Sequence, residues 1–203
     1  MRYAREIGVA KVMMRGLIPF VIAAALLGGD LSPVLADKPL SRDALIEDFT
    51  MQPESRWRFF TDQVMGGVST GSVAFAQEDG QPFARMTGRV STASRGGFIQ
   101  MRLDLPSPPP EGTTGVRLVV RGNSQRYFVH LRTGGTLLPW QYYQAGFDVA
   151  ESWGEVRLAF DAFAASGALL RRVPAPRNLT SVSVVAYGRD HDARIDVREV
   201  GFY

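Results

Sequence analysis

From Asp48 onward, apolar and polar residues alternate with a period of two. Between 97 and 103, Ile99, Met101 and Leu103 fall on one side and Phe98, Gln100 and Arg102 on the other. Between 126 and 132, Tyr127, Val129 and Leu131 share a side opposite Phe128 and His130. Successive side chains of a strand point to opposite faces, so this alternation predicts strands with one face buried. The pattern predicts strands at 57–60, 71–77, 83–91, 97–103, 115–121, 126–132, 141–148, 155–160, 181–187 and 194–202. Turn formers separate them: Glu78-Asp79-Gly80, Gly122-Asn123-Ser124, Gly134-Gly135 and Gly188-Arg189-Asp190. Pro108-Pro109-Pro110 is expected to stiffen an exposed connector, because proline cannot donate to a ladder. Ten short strands with little helix predict an all-β fold, an antiparallel two-sheet β-sandwich of jelly-roll type.

The first 36 residues break this pattern. Arg2, Arg5, Lys11 and Arg15 precede an apolar run over 16–27, and Val34-Leu35-Ala36 places small residues at the usual cleavage positions. The apolar run is too short for the ~20 residues that span a bilayer. These features predict a secretory signal peptide over 1–36, cleaved before Asp37, and a periplasmic or secreted protein with no membrane span after cleavage. No cysteine stands near the cleavage site, which excludes a lipoprotein anchor. Residues 37–47 read as a flexible lead with a helical turn at 44–47, and 48–203 as the β domain.

Residues 1–36 hold four of the 23 basic and two of the 20 acidic residues, so the remainder is close to neutral. It carries no Lys/Arg block, and no nucleic-acid partner is expected. With no cysteine, disulfides and thiol catalysis are excluded, and a sizeable core must hold the domain together. Only His130 and His191 are present, so neither a zinc site nor any other metal or cofactor is expected.

The stretch Asp62-Gln63-Val64-Met65-Gly66-Gly67-Val68-Ser69 joins two predicted strands and is longer than a minimal hairpin turn. One reading makes it a wide structured turn, with Asp62 and Ser69 bonded to local backbone. The other makes it a binding loop on a rigid β scaffold. Ser91-Thr92-Ala93-Ser94-Arg95-Gly96-Gly97-Phe98-Ile99-Gln100-Met101-Arg102 answers it downstream.

Trp57, the Val64-Met65-Gly66-Gly67-Val68-Ser69 run, Gly88-Arg89-Val90-Ser91 and Gly96-Gly97-Phe98 occur in the order that resembles the complex I intermediate-associated protein 30 family. The segments 115–122 and 127–132 fit the same pattern. The resemblance runs from about Asp48 to Tyr203. It implies a galactose-binding-like sandwich, no catalytic mechanism, and a role as a binding or assembly factor acting through protein–protein contact. The mitochondrial members act on the matrix side, whereas this chain carries secretory features. The expected partner is therefore a respiratory-complex subunit or another envelope protein. A carbohydrate-binding module is the alternative that the fold suits.

Other chemistry is weaker. His130, Asp148 and a serine make no recognisable triad, because His130 sits mid-strand and no Gly-x-Ser-x-Gly elbow exists. Asp190-His191-Asp192 reads as a solvated turn rather than a cation site. Asp62 with Glu47 or Asp48 has no spacing that identifies a glycosidase pair. Trp140 and Tyr142 read either as half-buried strand residues or as a stacking platform for a sugar or peptide. Arg95, Arg102 and Arg121 read as solvated residues; Arg102 or Arg121, if inward, would pair with Asp62. The candidate binding residues are thus Asp62, Met65, Gly66, Gly67, Ser69, Arg95, Gly96, Gly97, Arg102, Arg121, Trp140 and Tyr142, and no catalytic residue is assigned.

Overall fold

A computed structural model of the chain describes residues 44–203. Its strands are β1 (Leu45–Glu47), β2 (Trp57–Thr61), β3 (Thr70–Glu78), β4 (Gln81–Val90), β5 (Phe98–Asp104) and β6 (Gly115–Gly122). They continue with β7 (Arg126–Thr133), β8 (Tyr143–Asp148), β9 (Gly154–Ala159), β10 (Ala164–Ala165), β11 (Leu179–Tyr187) and β12 (His191–Phe202). A single helical turn, α1 (Pro53–Arg56), leads into β2. The signal peptide expected over 1–36 and residues 37–43 of the expected lead lie outside the described residues. No helix among the described residues is long and apolar enough to cross a membrane.

The strands form two antiparallel sheets. The first runs β3-β4-β12-β6-β9, with β1 also paired to β12. The second runs β10-β8-β7-β11-β5-β2. In the first sheet β4 pairs with 191–197 of β12 and β1 pairs with its far end, around Val200 and Gly201. Where a helical turn is expected at 44–47, Leu45–Glu47 is a strand. Glu47 fixes it: its carboxylate accepts the Phe49 N–H at 2.6 Å, the Trp57 indole N–H at 2.7 Å and an Arg56 N–H at 2.8 Å.

The alternation of the sequence is the alternation of the sheets. Ile99, Met101 and Leu103 of β5, Tyr127, Val129 and Leu131 of β7, and Val182, Val184 and Ala186 of β11 pack inward. They meet Met86, Leu118, Ile195 and Val197 of the first sheet. The Tyr127 ring is buried, yet its hydroxyl donates to Asn123 Oδ1 at 2.6 Å and accepts the Arg194 N–H at 2.8 Å. Asp79 and Gly80 both have positive φ, 52° and 75°, and close the two-residue β3–β4 hairpin. Such turns match the twist of the flanking strands. The proline-rich segment is exposed and carries the chain from β5 in the second sheet to β6 in the first.

Two short strands escaped the pattern, β1 and β10, and β8 starts at Tyr143 rather than at 141. Ser166 holds the chain there, accepting the Tyr142 N–H at 2.9 Å and donating to the Trp140 carbonyl at 2.9 Å.

Candidate functional site

Asp62 is fully buried at the end of β2, where the chain turns through a 3-10 segment, Asp62–Met65. Its Oδ1 accepts the Ser69 N–H at 2.9 Å. Its Oδ2 accepts the Ser69 hydroxyl at 2.5 Å, the Gly97 N–H at 2.5 Å and the Phe98 N–H at 3.4 Å. Ser69 Oγ in turn accepts the Ser91 N–H at 3.0 Å. One carboxylate thus ties the loop after β2 to the loop before β5. Burial alone would raise the Asp62 pKa, but the Ser69, Gly97 and Phe98 donors outweigh it and hold the carboxyl below its usual range.

The glycines divide the remaining work. Gly66 has φ of 86° with open space around it, and Gly97 has φ of 128°. A Cβ at Gly67 would stand 2.3 Å from Asp62 Cγ, and one at Gly96 would stand 2.3 Å from Asp62 Oδ2. Two of the four glycines therefore supply backbone conformation, and two supply room for the carboxylate. The structured-turn reading of this stretch holds, with a longer reach than local backbone. The tip of the same loop points elsewhere: Val64, Met65 and Val68 are 71%, 59% and 50% exposed.

The expected pairing of Asp62 with Arg102 or Arg121 does not form, because backbone and serine donors already fill both carboxylate oxygens. Arg121 lies on the outer face of the first sheet. It donates to Glu78 at 2.7 and 3.1 Å and to Asp196 at 2.8 Å, and it sits 4.5 Å from the centre of the Trp153 ring. Arg85 donates twice to the nearly inaccessible Asp196, at 2.6 and 2.7 Å. Burial works against ionisation of Asp196, and the two guanidinium groups reverse it and hold its carboxyl below the usual range. These residues line a cleft of about 420 Å³ whose charges neutralise one another. Arg95 is exposed, at φ of 59°, in the turn before Gly96.

Arg102 lies on the outer face of the second sheet. Register places Arg58, Arg102, Ser183, His130 and Gln144 in one row across β2, β5, β11, β7 and β8. The adjacent row is Phe60, Gln100, Val185, Phe128 and Gly146. Rings dominate the face. His130 stacks on Tyr142 with centroids 4.0 Å apart and planes within 7°. Tyr187 stands edge-on to Phe128 at 5.9 Å and to His130 at 5.8 Å. Arg102 lies 4.8 Å over the Phe60 ring. Tyr142 therefore belongs to the platform, while Trp140, in the adjoining turn, is 62% exposed. Burial raises the Tyr142 hydroxyl pKa, and the neighbouring Tyr187 hydroxyl adds to it.

His130 Nε2 lies 2.8 Å from Gln144 Oε1, and burial pushes its pKa down to about 4. Asp148 instead accepts from Arg126 at 3.2 Å. Asp190 accepts the Thr92 N–H and hydroxyl, both at 2.7 Å, which pins the β11–β12 turn to the loop before β5. No cluster of acids and histidines that could hold a metal stands among the described residues.

Sequence reading missed Arg58, Phe60, Phe128, His130, Arg132 and Tyr187 as members of one surface. A signal exists: Phe98-x-Gln100-x-Arg102 and Phe128-x-His130-x-Arg132 repeat aromatic, polar and arginine on the outward positions of two strands.

Solved structures share this architecture. A family 11 carbohydrate-binding module from Clostridium thermocellum, in complex with a beta-1,3-1,4-mixed-linked tetrasaccharide, superposes with a TM-score of 0.63 at 11% identity. The match covers 78% of this chain and 94% of that one. The family 11 module of the cellulosomal cellulase Lic26A-Cel5E of the same organism gives 0.63 at 11% identity, over 78% and 92%. An exo-beta-agarase gives 0.53 at 8%, over 79% of this chain and 25% of its own. At such identities the likeness shows the fold, a galactose-binding-like sandwich. No curated protein sequence matches the chain. The Asp62–Ser69 brace and both glycine pairs fall inside residues 48–192, which match the family Complex I intermediate-associated protein 30 (CIA30), and the chain belongs to that family.

Proposed function

We propose that this protein is a non-catalytic binding factor of the cell envelope that acts through protein–protein contact in the assembly of a larger complex. One observation carries the reading. Val64, Met65 and Val68 stand in solvent on a loop whose base is braced by a buried carboxylate. Apolar side chains held out on a rigid platform suit docking, because little ordering remains to oppose binding. Family membership supports the same role. The test places a photo-crosslinking residue at Met65 in the full chain in its native envelope. A discrete protein adduct that disappears in Val64→Asp, with an unchanged denaturation midpoint, is expected. An adduct pattern indifferent to that charge sinks the reading.

A second reading is carbohydrate binding on the outer face of the second sheet. The stacked His130 and Tyr142, the edge-on Tyr187 and the flanking Gln100 and Gln144 favour it. Rings and amides are the groups that hold sugar faces and hydroxyls. The tetrasaccharide bound to the family 11 module adds fold-level support only.

A further inference from the structure

The outer face of the second sheet carries positive charge that its own acids leave unmatched. Arg58, Arg102 and Arg132 stand near one another on it, with Asp104 as the acid beside them. Asp104 bonds Arg58, and its Oδ1 lies 3.3 Å from Arg102 Nε. That contact is too poorly aligned to be a hydrogen bond, and Arg102 Nε is inaccessible with no hydrogen-bond partner. Arg132 donates to the carbonyls of Thr136 and Leu138, at 2.8 and 3.1 Å. Burial, and then the nearby Arg58 and Arg132 charges, push the Arg102 guanidinium below its ordinary pKa. An arginine this crowded and half-buried gains from a ligand that brings an anion.

The face around it is extended. Strands lie about 4.8 Å apart, so the row from Arg58 to Gln144 runs about 19 Å. Along it Ser183 and His130 are buried, the half-buried Tyr142 ring stacks on His130, and the Gln100 and Gln144 amides are partly exposed beside them.

Resting on the carbohydrate reading, we propose that this face binds an acidic glycan, with Arg102, flanked by Arg58 and Arg132, receiving a sugar carboxylate. A guanidinium fork matches a carboxylate in a bidentate geometry, which a neutral sugar cannot offer. The half-buried Tyr142 ring, stacked on the buried His130, is then the platform for a neighbouring sugar.

The experiment is calorimetric titration of the full protein with short uronic-acid oligomers of several linkages. Each is compared with its carboxyl-reduced, neutral counterpart and with a sulfated oligosaccharide of equal charge. Binding of at least one uronate oligomer is expected, with the carboxyl-reduced form about tenfold weaker or worse. Arg102→Gln should show the same loss, and Arg102→Lys, which keeps the charge without the fork, a partial one. The denaturation midpoint of each variant confirms that it is folded. Equal binding of neutral and acidic oligomers, with Arg102→Gln silent, overturns the acidic inference and leaves the carbohydrate reading standing. Equal binding of the sulfated oligomer reduces the site to charge alone and also overturns it. Binding of no oligomer at all overturns both.

Discussion

Asp62 and Gly97, 35 residues apart in sequence, are joined by a 2.5 Å hydrogen bond from the Gly97 backbone N–H to the carboxylate. That bond, with those from Ser69, makes two loops at one end of the sandwich a single unit. Asp62→Ala leaves the buried N–H groups of Ser69 and Gly97 without their acceptor. A loss of about 3–5 kcal/mol is expected, since uncompensated buried polar groups cost that much in combination. Asp62→Asn keeps one acceptor oxygen and should lose less. Denaturant midpoints of the two variants order them.

The glycines of the two loops should respond differently to the same methyl group. Gly67→Ala and Gly96→Ala drive a Cβ into the Asp62 carboxylate, and overpacking of this kind costs about 1–3 kcal/mol. Gly66→Ala meets open space and pays only for a left-handed backbone, about 1–2 kcal/mol. A Gly66 variant less stable than the Gly67 variant would contradict this division.

His130 gives stability a pH dependence. Its folded pKa of about 4 lies below the ordinary value of 6.5, so the unfolded chain binds more protons between them. Its contribution is complete above about pH 6.5 and fades as pH falls toward 4, by up to about 3 kcal/mol. His130→Gln should flatten the denaturation midpoint against pH in that window. An unchanged slope would remove His130 as its source.

Asp196 holds two guanidinium groups on the first sheet. Asp196→Ala should cost about 2–3 kcal/mol. That falls below the 3–5 of a fully buried pair, because the Arg85 side chain is 33% exposed and can turn to water. A double variant that also removes Arg85 should recover part of the loss in thermal melts.

Export has a direct check. N-terminal sequencing of the protein from its native source should find Asp37 or a residue within a few positions of it. A chain in a cytoplasmic fraction that still carries its N-terminal apolar run would move the protein out of the envelope.

Most of the fold was legible because period-two alternation is strong in β5 and β7, where Ile99, Met101, Leu103, Tyr127, Val129 and Leu131 all face the core. β1 was not, because three residues carry too little pattern, and its place depends on Glu47 capturing Phe49, Arg56 and Trp57. The site was half legible. The motif stretch holds the brace, but sequence alone suggested an arginine partner for Asp62. Backbone donors take that place, and any residue type can present those. The aromatic face stayed hidden because its row crosses five strands, and register between distant strands is not written in local pattern.

β12 is the seam of the first sheet: it pairs with β4, β6 and β1. Until residues 191–202 are available, β4 and β6 each present an open edge, and their inward residues Met86, Leu118 and Val120 have no closed sheet behind them. A chain emerging from a ribosome or a translocation channel would therefore hold the first sheet unfinished until its last described strand arrives. That delay leaves open strand edges and apolar surface exposed to aggregation, and makes loss of β12 far more damaging than loss of an edge strand such as β10.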